Sequence, residues 1–292
     1  MKTINYFLTV AIVISFSSCM QQPKEEKQVM RTAVSKSYEY MSTARLTVSE
    51  SKRLIAKGLA ANKDVKDRLE NGIVIITLGT TNTYLAEELA GLSAPRGSFV
   101  TGRIFPSSKE DFAKGMKRQL EIVLLKGKPV DISYSDALNR MNAKDIVFKG
   151  ANMVNYAKRQ AAVCVGAPDG GTVAKLRKYT DSGKGRWIVP VGLEKETTQD
   201  LFEIQKLTNG DTQRSKGTVR LNVTQGNIYT EIEALKEFAD VDIHITAKGG
   251  VDGAEGGVSL LICGKRAEVE KAENIVKQLQ GEPAFVESVS KK

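Results

Sequence analysis

An α/β protein, with an open, mostly parallel sheet flanked by helices and a smaller α+β unit after it, is what the 292-residue sequence predicts. Three observations carry the prediction. Short apolar runs, "IVIIT", "DIVF", "AAVCV" and "RWIVPV", end in glycine-containing turns and alternate with helix-like stretches, the pattern of a parallel sheet covered on both faces. Residues 208–217, "TNGDTQRSKG", are polar, rich in turn formers and without apolar anchors, which marks a boundary. Beyond them the segments read strand, helix, strand, strand, helix, strand.

From the start of the chain, residues 1–18 read as a signal. Lys2 is followed by an apolar stretch over residues 6–16, too short to span a bilayer, and then by small residues before Cys19. The ending "FSSC" resembles a bacterial lipobox, in which the lipid is carried on the new N-terminal cysteine, here Cys19. Residues 19–70 read as a polar tether followed by one or two helices. Val34, Tyr38, Met41 and Leu46, then Leu54, Ile55, Leu59, Val65 and Leu69, recur at mostly helical intervals, with Ser49 or Ser51 as a cap. Residues 71–207 form the predicted α/β domain, with a helix over 112–125, "FAKGMKRQLEIVLL". Residues 217–292 contain "TVRLNV", "TEIEALKEFA", "DIHITA", "GVSLLICG", "RAEVEKAENIVKQL" and "PAFVES". That is the βαββαβ order of a ferredoxin-like unit.

Composition excludes several functions. The net charge is +9, one less once Lys2 is removed, but the basic residues are scattered and few aromatics interleave with them, which argues against nucleic acid. His244 is the single histidine and reads as a strand residue in "VDIHITA", so a Ser-His or Cys-His nucleophile pair and a histidine-based zinc site are not expected. No metal and no cofactor is expected. Besides Cys19, Cys164 and Cys263 sit in apolar runs and read as buried thiols; an oxidising compartment leaves a disulfide open. Chemistry is thus left to carboxylates, lysines and backbone amides.

The turn "LGTTNT" stands at the end of an apolar strand and opens a helix. Gly79 permits close approach of a ligand, Thr80, Thr81, Asn82 and Thr83 offer donors, and the helix start supplies free amides. Phosphate or carboxylate is the natural guest, although the pattern is neither a Walker loop nor a dinucleotide fingerprint. As an alternative, Thr81 or Asn82 serves only to cap the helix.

"ITLGTTNTYLAEELA" resembles the first strand, turn and helix of ribose-5-phosphate isomerase and its relatives, the sugar-phosphate deaminases and family I coenzyme A transferases. "DIVFKGANMVN" and "VGAPDGGTVAKLRK" resemble later segments of the isomerase, so the likeness covers roughly residues 72–195. It implies an anion site at residues 79–83. Where the isomerase pattern carries acidic residues, however, this sequence has Lys149, Asn152, Met153 and Asn155, and none of these serves as a carboxylate base. "GAEGGVSLLICG" partly resembles the glutamate motif of the transferases at Glu255, with Leu260 where the last glycine belongs.

The expected ligand-binding set is therefore Gly79, Thr80, Thr81, Asn82, Thr83, Arg103, Lys149 and Asn152, with Arg103 as an anion clamp. Lys149, Asp169, Glu194 and Glu255 are the catalytic candidates, and Lys195 lines the same strand edge as Glu194. The expectation is a lipoprotein of the bacterial cell envelope, facing outside the cytoplasm and held to the membrane by its N-terminal lipid, that binds a small anionic metabolite. The alternatives are a divergent enzyme of the isomerase and transferase superfamily and a structural or interaction lipoprotein.

Overall fold

A computed structural model describes residues 36–167, 169–215 and 217–286. The signal and lipidation assignments, Cys19 included, fall outside them. Among the described residues no helix is long and apolar enough to cross a membrane.

The first element among the described residues is a strand, β1 (Tyr40–Leu46), where helical spacing was expected. Its buried side chains alternate, Ala44 and Leu46 facing inward between exposed Thr43 and Arg45, a period of two that the scattered apolar positions concealed. Helix α1 (Val48–Ala61) is capped by Thr47 rather than by Ser49 or Ser51. The Thr47 hydroxyl accepts the Glu50 N–H while Glu50 accepts the Thr47 N–H, a reciprocal capping box. Asn62 ends α1 and caps α2 (Lys63–Asn71).

There follow β2 (Ile73–Ile76), α3 (Thr80–Ala90), β3 (Ile122–Leu125), β4 (Lys128–Pro129), α4 (Tyr134–Arg140) and β5 (Ile146–Phe148). Next come β6 (Met153–Asn155), β7 (Gln160–Val165), α5 (Gly171–Thr180), β8 (Arg186–Pro190) and α6 (Leu201–Asn209). The chain closes with β9 (Arg220–Gln225), β10 (Ile228–Tyr229), α7 (Glu231–Lys236), β11 (Val241–Gly249), β12 (Gly257–Gly264) and α8 (Arg266–Lys277). The helix expected over 112–125 is absent. Gly115 lies at φ 78°, which a helix does not accommodate, and the branched run at 122–124 forms β3.

The protein is mixed α/β. Its largest sheet has six strands in the order β10-β8-β5-β2-β3-β4, parallel from β10 to β2 and antiparallel at β3 and β4. Two smaller sheets are antiparallel, β1-β12-β11 and β6-β7-β9. "AAVCV" is thus not a strand of the main sheet, and "TVRLNV" pairs with β7 across the expected boundary at 208–217. No strand forms over 282–286, where "PAFVES" begins; the third strand beside β11 and β12 is β1, from the opposite end of the chain. The described residues from Tyr38 on form one unit.

Both faces of the main sheet are covered. Val74, Ile76 and Phe148 pack with Leu54, Ile55 and Leu59 of α1, Leu85 of α3 and Leu235 of α7, and this layer continues to Leu260 and Ile262 of β12. On the other face Ile75, Val147, Trp187 and Val189 meet Leu138 of α4, Leu176 of α5 and Val163 of β7. The α1 and α7 backbones approach closely because Gly58 has no side chain: a Cβ there would stand 2.6 Å from Ala234 Cα. Arg53 holds Glu87, Glu88 and Glu282, while Arg96 reaches Glu87 and Glu282, so α3 is pinned at its solvent side. Cys164 and Cys263 are free thiols.

Candidate functional site

The carboxyl ends of parallel strands are where open α/β sheets bind ligands, and β2 and β5 end side by side here. Their ends are stitched together. The Phe148 carbonyl accepts from the Thr77 N–H at 3.1 Å, the Thr77 hydroxyl at 2.9 Å and Asn82 Nδ2 at 2.9 Å. This holds the Gly79 turn against Lys149, the residue after Phe148.

A small cleft of about 70 Å³ opens at this point. Leu78, Gly79, Thr80, Thr81 and Asn82 form one wall, with Thr101 and Gly102 beside them; residues 149–152, Val163, Cys164 and Lys195 form the other. Of the expected ligand set, Gly79, Thr80, Thr81, Asn82, Lys149 and Asn152 are brought together. Gly79 has an extended backbone at φ 166°, which any residue adopts, so its conformation alone does not demand glycine.

The N-terminus of α3 is unusually bare. Gly79 offers no side-chain cap, and the N–H groups of Thr80, Thr81 and Asn82 precede the first helical bond, from the Thr83 N–H to the Gly79 carbonyl at 2.9 Å. Thr81 is 3% exposed and Asn82 is fully buried, yet Thr81 Oγ1 and Asn82 Oδ1 have no hydrogen-bond partner. Buried polar atoms are nearly always paired, and these two orphans stand beside the open amides, while Arg186 Nε, Glu194 Oε2 and Tyr229 Oη are unpartnered elsewhere. The two residues do not act merely as caps, the alternative left open by the sequence: neither provides a side-chain cap to α3. Thr83 turns inward, donating its hydroxyl to the Gly79 carbonyl, and does not line the cleft.

The opposite wall is cationic. The Lys149 side chain makes no hydrogen bond or ion pair among the described residues. Burial pushes its ammonium below the ordinary lysine range; Glu121 opposes that shift and Arg118 adds to it. Lys195 donates to the Ala151 carbonyl at 2.9 Å. Burial lowers its pKa to about 8 against the opposing pull of Glu194. Asn152 Oδ1 accepts the Cys164 N–H at 2.9 Å, which turns its side-chain oxygen to the backbone. Burial raises the Cys164 thiol, keeping it protonated. None of the residues lining the cleft is a carboxylate or a histidine.

The remaining candidates lie elsewhere. Arg103 is committed to Asp111 and the Thr101 carbonyl and stands over the Phe112 ring at 5.3 Å, so it is not free to clamp an anion. Asp169 is an exposed turn residue accepting the Gly171 N–H, and Glu255 is an exposed loop residue accepting the Gly253 N–H. Glu194 is interior and not among the residues lining the cleft, and Lys52 holds it at 2.7 Å. His244 is exposed on β11, and among the described residues no group of His, Cys, Asp and Glu has the arrangement of a metal site.

Behind Lys195 lies a buried charge cluster in which Glu194 is joined by Glu231 and Lys52, neither of them among the residues the sequence singled out. Glu231 is fully buried and both its oxygens accept the Leu193 N–H, at 3.2 and 3.0 Å. Burial and then the neighbouring Glu194 push its carboxyl up to about 7. Burial opposes ionisation of Glu194 too, but Lys52 and Lys195 overcome it and hold that carboxyl below the usual range. One signal existed in the sequence: Lys52 falls on the same helical stripe as Ile55, Ala56 and Leu59. Comparison with known proteins finds no family model, no curated protein and no solved structure that matches this chain.

Proposed function

We propose that the chain binds a small anionic metabolite, phosphorylated or carboxylated, in the cleft between the α3 N-terminus and Lys149, as an envelope lipoprotein anchored through Cys19. One observation carries the binding reading: the uncapped start of α3, with buried Thr81 Oγ1 and Asn82 Oδ1 unpartnered, faces two lysines across a cleft without a carboxylate. Amides at a helix start and lysine ammonium groups both favour negative charge, and the Asn82 oxygen suits a hydroxyl or protonated group on the same ligand. The cleft volume restricts the guest to a few non-hydrogen atoms. Anchoring rests on residues 1–19 alone, and the isomerase-like reading of residues 71–207 draws support from the parallel β2 and β5 and the turn that joins β2 to α3. The ferredoxin-like reading of residues 217–292 draws support only from β11, β12 and α8.

A thermal-shift titration of the full chain with inorganic phosphate, glyoxylate, pyruvate and small sugar phosphates tests the binding. Stabilisation is expected to grow with ligand concentration, by about 2.7 kcal/mol at a hundredfold excess over Kd, and to shrink in Thr81→Ala and Lys149→Met. No shift at millimolar ligand, or a shift untouched by both substitutions, overturns the reading.

A further inference from the structure

Lysine is rarely left without a partner where it is withdrawn from solvent, and the half-buried Lys149 is such a lysine at the wall of a cleft. Its backbone is fixed on both sides. The Lys149 N–H donates to the Ile188 carbonyl at 3.2 Å and the Lys149 carbonyl accepts the Trp187 indole N–H at 2.9 Å, so the side chain departs from a rigid point in the sheet. An amine whose only role was to supply charge would be better served in its ammonium form; burial works against that form here. Neutral lysine is a nucleophile toward carbonyl carbon.

The other groups fit that use. Lys195 lines the same cleft, and with a pKa near 8 it both gives and takes a proton at neutral pH. Cys164, the other nucleophile at the cleft, is held as its thiol. With no carboxylate or histidine in the lining, an amine is the group left to react. The cavity of about 70 Å³ accommodates roughly five to seven water-sized positions at 10–15 Å³ each, which is the size of a two- to three-carbon oxo acid.

From this geometry we infer that Lys149 forms an imine with a small 2-oxo acid of two or three carbons, whose carboxylate lies on the α3 N-terminus. The inference rests on the anion-binding reading above and assigns the reacting atom within it. The Lys149 Nζ lone pair attacks the carbonyl carbon as the C=O π pair moves to oxygen, which takes a proton from the Lys195 ammonium. The resulting carbinolamine loses a proton from nitrogen to the Lys195 amine. Its C–O bond then breaks as the Lys195 ammonium protonates the leaving hydroxyl and the nitrogen lone pair forms the C=N bond, so that amine, carbonyl and one proton become a protonated imine and one water, with Lys195 left as the amine. No oxidant or reductant enters the step.

Reductive trapping tests it. The full chain is incubated at pH 7.5 with glyoxylate or pyruvate and cyanoborohydride, and the labelled lysines are mapped by peptide mass spectrometry. Lys149 is expected to be labelled severalfold faster than exposed lysines, because burial disfavours its ammonium form and leaves more free amine, and inorganic phosphate is expected to slow it. Lys149→Arg and Lys149→Met should lose that adduct alone. Labelling spread over surface lysines, or none at Lys149 in the unsubstituted chain, overturns the inference whether or not the variants fold. Thermal shifts with inorganic phosphate on the same samples separate the two readings. A phosphate shift without a Lys149 adduct leaves anion binding standing and removes the imine; absence of both removes both.

Discussion

Lys52 Nζ and Glu194 Oε1 meet at 2.7 Å across the interior, one from α1 and the other from the turn after β8. The pair joins the helical layer to the strand-end region that carries Lys195. Removing one partner leaves the other charge buried without compensation. Lys52→Met is therefore expected to cost about 3 kcal/mol, softened by Lys195 beside Glu194. Lys52→Met with Glu194→Gln should recover most of that loss, which urea denaturation of the three variants measures.

Glu231 and Lys195 give the fold an unusual pH profile. The Glu231 carboxyl moves from 4.5 in an unfolded chain to about 7 in the fold. Between those values the native state holds a proton that the unfolded state has released, so the Glu231 contribution to stability is fully present below 4.5 and is lost as pH rises to 7. Lys195 moves from 10.5 down to about 8. Over that window the unfolded state holds the extra proton, and stability recovers as pH rises. A minimum between pH 7 and 8 is expected. Glu231→Gln should remove the falling limb, on the order of 3–4 kcal/mol at about 1.4 kcal/mol per unit, and keep the rising one. Denaturation at pH 5, 7.5 and 9.5 measures both.

At Gly58 the packing, not the helix, sets the residue. Alanine is the better helix former by about 1 kcal/mol, yet its Cβ would stand 2.6 Å from Ala234 Cα and 2.7 Å from the Tyr229 hydroxyl. Gly58→Ala is expected to destabilise by about 1–3 kcal/mol through overpacking, seen as a lower urea midpoint. A stabilising effect would mean that α1 and α7 are free to move apart.

The sequence made the mixed α/β class legible because continuous apolar runs such as Ile73–Ile76 and glycine-terminated turns are local signals. It made the Gly79 turn and Lys149 legible for the same reason. Pairing partners were not, because they are set by distant residues: β9 joins β7, and β1 joins β12, on contacts that no window of sequence contains. Ile122–Leu125 was misread because four apolar residues in a row fit a strand as well as a buried helix turn. Arg103 was misjudged because Asp111, its partner, lies across a turn that the residue pattern does not announce. Lys52 and Glu231 were overlooked because a charged residue on a helix is ordinarily solvated, and only tertiary packing reveals that these are not.

The β1–β12 register pairs Tyr40 with Gly264 and Leu46 with Val258, a separation of more than 200 residues. Loop closure over such a span comes late in folding, so a chain emerging from its N-terminus presents β1 with no partner until nearly all of the protein has followed. The edge of that strand is exposed throughout synthesis, when an unpaired strand invites misassociation. Arg45 on its outward face supplies a charge of the kind that discourages such pairing. The small sheet therefore acts as a clasp that fastens only on a finished chain, and a copy truncated before residue 258 would leave it open.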